Sequence, residues 1–193
     1  MSQVTNMNSM FVGCEGLESL NLSNFDISQV TDMNLMFSWN SFKNLNLKGK
    51  FKTNNVTCMT GMFSSCRGLT KLDLNNFNSS KLQYMTQMFS DCTKLTDLNV
   101  PNFDTHIARS LSSVFSGCKS ISNVNFLNFD TTNAINMNNL FSNCDSLLEL
   151  CLSNFDSSNV QNMPSRYLDY KILTTIDLTN FSTCKVYQFR FTI

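Results

Sequence analysis

The chain has 193 residues, 14 cationic and 14 anionic side chains, no formal net charge, and charged residues at only 15% of positions. That balance supplies no general field to recruit nucleic acid or an anionic membrane. No apolar run reaches the roughly 18 residues of a membrane helix, so membrane insertion is not expected either.

The sequence is dominated by a period. A valine-like residue recurs at Val4, Val30, Val56, Leu82, Ala108, Ala134, Val160 and Val186, a step of 26 residues each time. Counted from it, Met falls at position four, Met-Phe at seven and eight, and Cys at eleven. Leu follows at fourteen, seventeen and nineteen, and Phe at twenty-two. A strict period of this size predicts a solenoid, in which each unit completes its core only against its neighbours. The whole chain, 1–193, reads as one domain of seven repeats starting at 4, 30, 56, 82, 108, 134 and 160. A terminal strand over 186–193 is expected to close it.

Repeat one sets the local pattern. Met7, Met10, Phe11, Cys14 and Leu17 lie at helical spacing, which predicts a short helical arc limited by Gly13 and Gly16. Leu20 and Leu22 alternate with polar residues as in a half-buried strand. Asn24-Phe25-Asp26 turns the chain, with Asp26 suited to an Asx-turn. Parallel strands joined by right-handed crossovers follow as the default, an α/β solenoid.

Repeat two departs most. It loses one residue before Leu45 and regains one before Phe51. Trp39 is expected to stand in the cysteine's place, and Lys43, Lys48, Lys50 and Lys52 gather around the strand and turn. These residues read either as a solvated edge with a larger core filler or as a local patch. In the second case Trp39 with Lys48, Lys50 and Lys52 suits an acidic partner or a sugar. Repeats three and four are regular. Repeat five replaces both methionines by Leu111 and Val114, and repeat six restores the pattern. Repeat seven decays, with Pro164, Arg166, Tyr167 and Tyr170 at or beside core positions. The tail KVYQFRFTI alternates as a strand. Met1 to Gln3 are too short to cap repeat one, so missing sequence or end-to-end stacking with another copy is expected to cover that face.

Five of the eight cysteines, Cys14, Cys66, Cys92, Cys118 and Cys144, share one repeat position; Cys58, Cys151 and Cys184 lie elsewhere. Copies one rung apart point the same way, which suits stacked, reduced thiols acting as small hydrophobes better than disulfides. Disulfide or metal use is the alternative.

The phrases VTNMNSMFVGCEGLESLNLSNFDISQV and INMNNLFSNCDSLLELCLSNFDSSNV resemble the BspA-like leucine-rich repeats of bacterial and protozoan surface proteins. The resemblance implies a right-handed, leucine-rich-repeat-like coil, a location on the cell surface or outside the cell, and adhesion to host or matrix proteins. It departs from ordinary leucine-rich repeats at Phe25, Phe77, Phe103, Phe129, Phe155 and Phe181, where Asn or Cys is usual.

Signs of catalysis are thin. His106 is the sole histidine, no nucleophile elbow or phosphate loop occurs, and the chain reads as a non-enzyme without cofactor or metal. Asp26, Asp104, Asp130 and Asp156 recur at one turn, where Asx-turns explain them better than a calcium line. A Thr ladder begins at Thr5, Thr31 and Thr57 but ends at Gln83, Arg109, Ile135 and Gln161. The best candidate surface is the outward side of the strands. It comprises Asn21, Asn46, Lys71, Asp73, Asp97, Asn99, Asn123, Asn125, Glu149 and Asp177, read either as a footprint for a protein or glycan partner or as a structural amide ladder. The expected function is a surface-displayed interaction or adhesion module; the alternative is a structural protein stacked into a fibre or surface layer.

Overall fold

The computed structural model describes residues 3–100, 103–124, 129–153, 155–161, 172, 174–177 and 179. Six three-residue strands recur along them: β1 (Ser19–Asn21), β2 (Asn44–Asn46), β3 (Lys71–Asp73), β4 (Asp97–Asn99), β5 (Glu149–Cys151) and β6 (Thr175–Asp177). Pairing is parallel, β1 with β2, β3 with β4 and β5 with β6. The central residue of each strand turns inward and its neighbours outward, as strand alternation requires. A second ladder of single-residue parallel bridges links Asn6, Asp32, Cys58, Tyr84, Ser110 and Asn136 in succession. Two ladders along one axis make a leucine-rich-repeat-like solenoid. The expected terminal strand over 186–193 and the core replacements of repeat seven lie outside the described residues.

The expected helical arcs are replaced by chains of tight turns; among the described residues there is no helix. The reason lies in the backbone donors. The N–H groups of Met7, Ser9, Phe11 and Gly13 donate to the carbonyls of Asp32, Asn34, Met36 and Ser38 on the next coil, at 2.8–3.0 Å. Met33, Leu35, Phe37 and Trp39 repeat the pattern toward Cys58, Thr60, Met62 and Ser64. The N–H groups between them close local turns, Met36 to Met33 and Ser38 to Leu35. Alternate donors are therefore committed to a neighbouring coil and cannot bond four residues back, as an α-helix needs.

That geometry places two left-handed residues in each arc. They are Ser9, Leu35, Gly61, Gln87, Ser113 and Asn139 at the first site, and Gly13, Trp39, Ser65, Asp91, Gly117 and Asn143 at the second. Left-handed backbone costs an ordinary residue roughly 1–2 kcal/mol and is best tolerated by Gly, Asn or Asp. Leu35 and Trp39 are the bulky exceptions.

Three further corners are turned by short polar side chains. At the bridge, Asn8 N–H donates to Asn6 Oδ1 and Asn34 N–H to Asp32 Oδ1. After the strand, Ser23, Lys48 and Asn75 N–H donate to Asn21, Asn46 and Asp73 Oδ1. At the third corner the expected Asx-turns form: Ser28, His106, Thr132 and Ser158 N–H donate to Asp26, Asp104, Asp130 and Asp156 Oδ1.

Inside, like residues stack on like. Phe11, Phe37, Phe63, Phe89, Phe115 and Phe141 form one column, with near-parallel rings 5.5–5.8 Å apart. A second series stacks Phe51 on Phe77 and Phe103 on Phe129, both at 6.0 Å. Tilted contacts Phe63–Phe77 and Phe115–Phe129 join the two. The outermost coil shows what a neighbour does: Met10 is 50% and Phe25 37% exposed, whereas Met36 and Phe51 are fully buried.

Cys66, Cys92, Cys118 and Cys144 are free, buried thiols. Each Sγ donates to the carbonyl of a phenylalanine on the preceding coil, Phe37, Phe63, Phe89 and Phe115, at 3.0–3.2 Å. In repeat two this slot is filled by Asn40, not Trp39. Its Nδ2 donates to Phe11 O at 2.6 Å and Phe37 O at 2.8 Å. Trp39 falls one residue earlier, on the left-handed outward site, and is 56% exposed. The core has room for a short donor to the carbonyl column, which asparagine supplies and indole does not.

Two predictions follow from the columns. Phe63→Ala should destabilise the chain by about 3–5 kcal/mol, read as a lower urea midpoint, while Phe11→Ala, at a half-buried ring, should cost less. Burial pushes the Cys66 thiol up to about 12 and those of Cys92, Cys118 and Cys144 well above the ordinary range. Above about pH 9 the unfolded chain loses these protons while the folded chain keeps them, so stability falls with rising pH by up to about 1.4 kcal/mol per thiol per pH unit. Denaturation series at pH 8 to 10.5 should show that slope, flattened by roughly a quarter in Cys92→Ala. An unchanged slope in the variant would remove the column as its cause.

Candidate functional site

The outward side of β1 to β4 forms an open groove of about 780 Å³. Asn21, Asn46, Lys71, Asp97 and Asn99 are exposed on it and Asp73 is half-buried, while Leu20, Leu45, Leu72 and Leu98 make its floor. These predicted residues are therefore brought together. Asn123 and Glu149 are also exposed and Asp177 is half-buried, further along the chain; Asn125 lies outside the described residues.

The amides are not free ornaments. Asn21, Asn46 and Asp73 each spend one oxygen on the backbone two residues on, which fixes their side chains and leaves their remaining polar atoms outward. Asp177 does the same with Thr179. The Thr179 hydroxyl and N–H, both donating to it, hold the Asp177 carboxyl below its ordinary value. Charge on the groove is paired across coils: Lys43 with Glu18 at 2.7 Å, Lys48 with Asp73 at 3.2 Å and Lys71 with Asp97 at 3.7 Å. Such exposed pairs contribute roughly 0–1 kcal/mol each to stability.

A seam crosses the groove. β2 and β3 are consecutive, yet they belong to separate two-stranded sheets. On either side of the seam the ladder is regular: Lys43 and Asn44 N–H both donate to Glu18 O, and Thr96 and Asp97 N–H both donate to Thr70 O. No corresponding bond joins Thr70 and Lys71 to Lys43 among the described residues. The displaced residue of repeat two explains this. β1 and β2 pair Leu20 with Leu45, one residue short of the full period, whereas β3 and β4 pair Leu72 with Leu98 at the full step. The arc is pressed close where the strand parts: a Cβ on Gly68 would lie 2.2 Å from Ser41 O and 2.5 Å from Phe42 O. The Lys48–Asp73 ion pair spans the seam.

The second predicted patch is rearranged. Trp39 is partnered by Arg67, whose guanidinium carbon lies 5.7 Å from the ring centroid. Lys48 belongs to the strand groove. Lys50 and Lys52 are exposed on a turn where Lys50 N–H donates to Ser23 O and Lys52 N–H to Lys50 O. His106 is held in its turn, with Nδ1 2.8 Å from Asp104 Oδ2.

Two sites escaped the sequence reading. Buried hydroxyls of Thr53, Thr105 and Thr131 donate to the carbonyls of Asn78, Asp130 and Asp156 on the next coil, linking the third corners; their period of 26 was the available signal. On the bridge side, Gln83, Tyr84, Ile107 and Arg109 line a hollow of about 340 Å³. There Tyr84, 60% exposed, stands on a ladder otherwise made of smaller residues.

Among curated proteins none matches the sequence. Solved structures that are similar include three bacterial leucine-rich repeat proteins. A leucine-rich repeat protein of T. pallidum has 21% identity and a TM-score of 0.45, covering 63% of this chain and 52% of its own. A leucine-rich cell surface protein of Faecalibacterium prausnitzii has 16% identity and a TM-score of 0.47, covering 92% and 58%. A leucine-rich repeat protein of Bacteroides ovatus has 15% identity and a TM-score of 0.30, covering 65% and 44%. The chain thus spans little more than half the length of the first two. A family model described as a Mycoplasma protein of unknown function, DUF285, matches residues 5–126 and 109–192. With both matches together running nearly end to end, the chain belongs to the DUF285 family of Mycoplasma proteins.

Proposed function

We propose that this chain is a non-enzymatic interaction module, displayed at the cell surface, that binds a protein or glycan through the strand groove of β1 to β4. The observation that carries the reading is the seam. A ladder unbroken from β1 to β4 would present a flat sheet whose backbone groups are all consumed. At the seam the groove instead offers backbone donors and acceptors together with Lys48, Lys71, Asp73 and Asp97, held by a rigid stack of coils. Rigidity matters because little ordering entropy is then lost on binding. The resemblance of the MFxxC repeats to BspA-like surface proteins supports the location and the adhesive role. Against catalysis, the sole histidine is committed to a turn with Asp104.

The reading is tested on arrays of extracellular-matrix proteins and of glycans, probed with the whole chain and with a Lys71→Glu/Asp97→Lys double variant. The exchange keeps the net charge and both polar characters but reverses their order. Binding should fall by about tenfold or more, as for a groove-centre contact, while the melting temperature stays within about 4 °C. Array binding that the exchange leaves untouched would move the site off this groove.

A further inference from the structure

Each arc contains two left-handed backbone sites, and the fold imposes them in every described repeat. Residues that occupy them elsewhere are small or turn-forming, with Gln87 the one long polar side chain. Repeat two instead places Leu35 at the first site (φ 54°) and Trp39 at the second (φ 60°). For side chains of this size such a conformation is an outlier. Nothing in the core repays it, because Leu35 is 37% and Trp39 56% exposed. Both are also costly to leave in water.

The surroundings are arranged for display. Along the axis Leu35 is flanked by Ser9 and Gly61, and Trp39 by Gly13 and Ser65, so both stand above low neighbours. The Leu35 side chain lies over Gly61 so closely that a Cβ there would meet its Cδ2 at 2.6 Å. The Arg67 guanidinium lies over the indole ring, its carbon 5.7 Å from the centroid, and among the described residues Arg67 forms no ion pair. Tryptophan and arginine are the residues most enriched where interfaces concentrate their energy.

We propose that this arc is a second docking site, separate from the strand groove, for a segment of a partner protein that presents a carboxylate beside an apolar side chain. The apolar group packs on Leu35 and the free part of the indole. The carboxylate meets Arg67, whose fork suits a two-oxygen acceptor. A saccharide fits less well: it needs hydrogen-bonding groups around the ring, and the flanking residues are Gly13 and Ser65, the latter only 4% exposed. Strain held at an exposed site that the core does not repay is the signature expected of a functional position.

The test is selection of a displayed random dodecapeptide library on the whole chain, with a Trp39→Gly variant for subtraction. The winning sequence is then titrated as a synthetic peptide. Trp39 is the sole tryptophan of the chain, so its emission reports directly on the site. Expected results are enriched peptides with Asp or Glu beside an apolar residue, a saturable blue shift, and affinity about tenfold weaker in Arg67→Ala. Trp39→Gly should melt no lower than the natural chain, since glycine fits the left-handed site. Failure to enrich over the subtraction, enrichment of basic or purely polar peptides, binding unchanged in Arg67→Ala, or a lower melting temperature for Trp39→Gly would each overturn the proposal.

Discussion

The structure depends on one set of contacts: alternate arc N–H groups donating to carbonyls on the coil that follows. A parallel ladder of this kind needs every coil to have the same length, or the donors lose their acceptors. The 26-residue period is therefore a backbone requirement before it is a packing one. The side-chain columns come from it, because a fixed step brings each residue over its counterpart. Phe63 lies between Phe37 and Phe89 for the same reason that its N–H reaches Met88 O. Hydrogen bonding and apolar burial thus specify one register, and a slip by one residue would break both.

The same contacts decide which side chains the arc tolerates. Alternating local turns with bonds to the next coil forces left-handed residues at two fixed places, and this favours Gly, Ser, Asn and Asp there. It also leaves inward slots of fixed size. The cysteine slot illustrates the second point. What the slot requires is a short side chain that donates to a phenylalanine carbonyl of the preceding coil. A thiol does so in four coils and Asn40 does so in repeat two. Burial in the slot keeps the thiols protonated and away from solvent, so the column contributes packing and one hydrogen bond per coil.

Much of this was legible in the sequence. The period, the inward residues, the strand positions and the Asx-turns at Asp26, Asp104, Asp130 and Asp156 all follow from spacing and side-chain chemistry. The helical arc did not survive, because Met7, Met10, Phe11 and Cys14 have the spacing of a helix stripe whether the chain turns by α-helix or by successive tight turns. The distinguishing signal was present in Ser9, Gly13, Ser65, Asp91, Gly117 and Asn143, residues that accept a left-handed backbone, and periodicity of apolar residues cannot detect it. The period itself puts Asn40, position eleven counted from Val30, in the cysteine slot and Trp39 one residue before it; what periodicity could not show is the left-handed backbone that turns Trp39 outward. The strand face was legible as a surface. Its seam was not, because a missing residue in repeat two leaves β2 free to follow the register of either neighbour, and it follows β1.

Repeat two therefore carries two departures of different kinds. Its deletion shifts β2 into register with β1 and away from β3, opening the groove without disturbing the bridge ladder, which continues from Asp32 to Cys58. Its substitutions leave the backbone path intact and change only what projects from it. A solenoid can absorb both because each coil touches only its neighbours: a local irregularity is confined between two adjoining coils. The ordered coils on either side then hold the irregular one in place. Specific surface arises where one coil breaks the pattern and its neighbours keep it, which is the situation of Leu35, Trp39 and the β2–β3 seam.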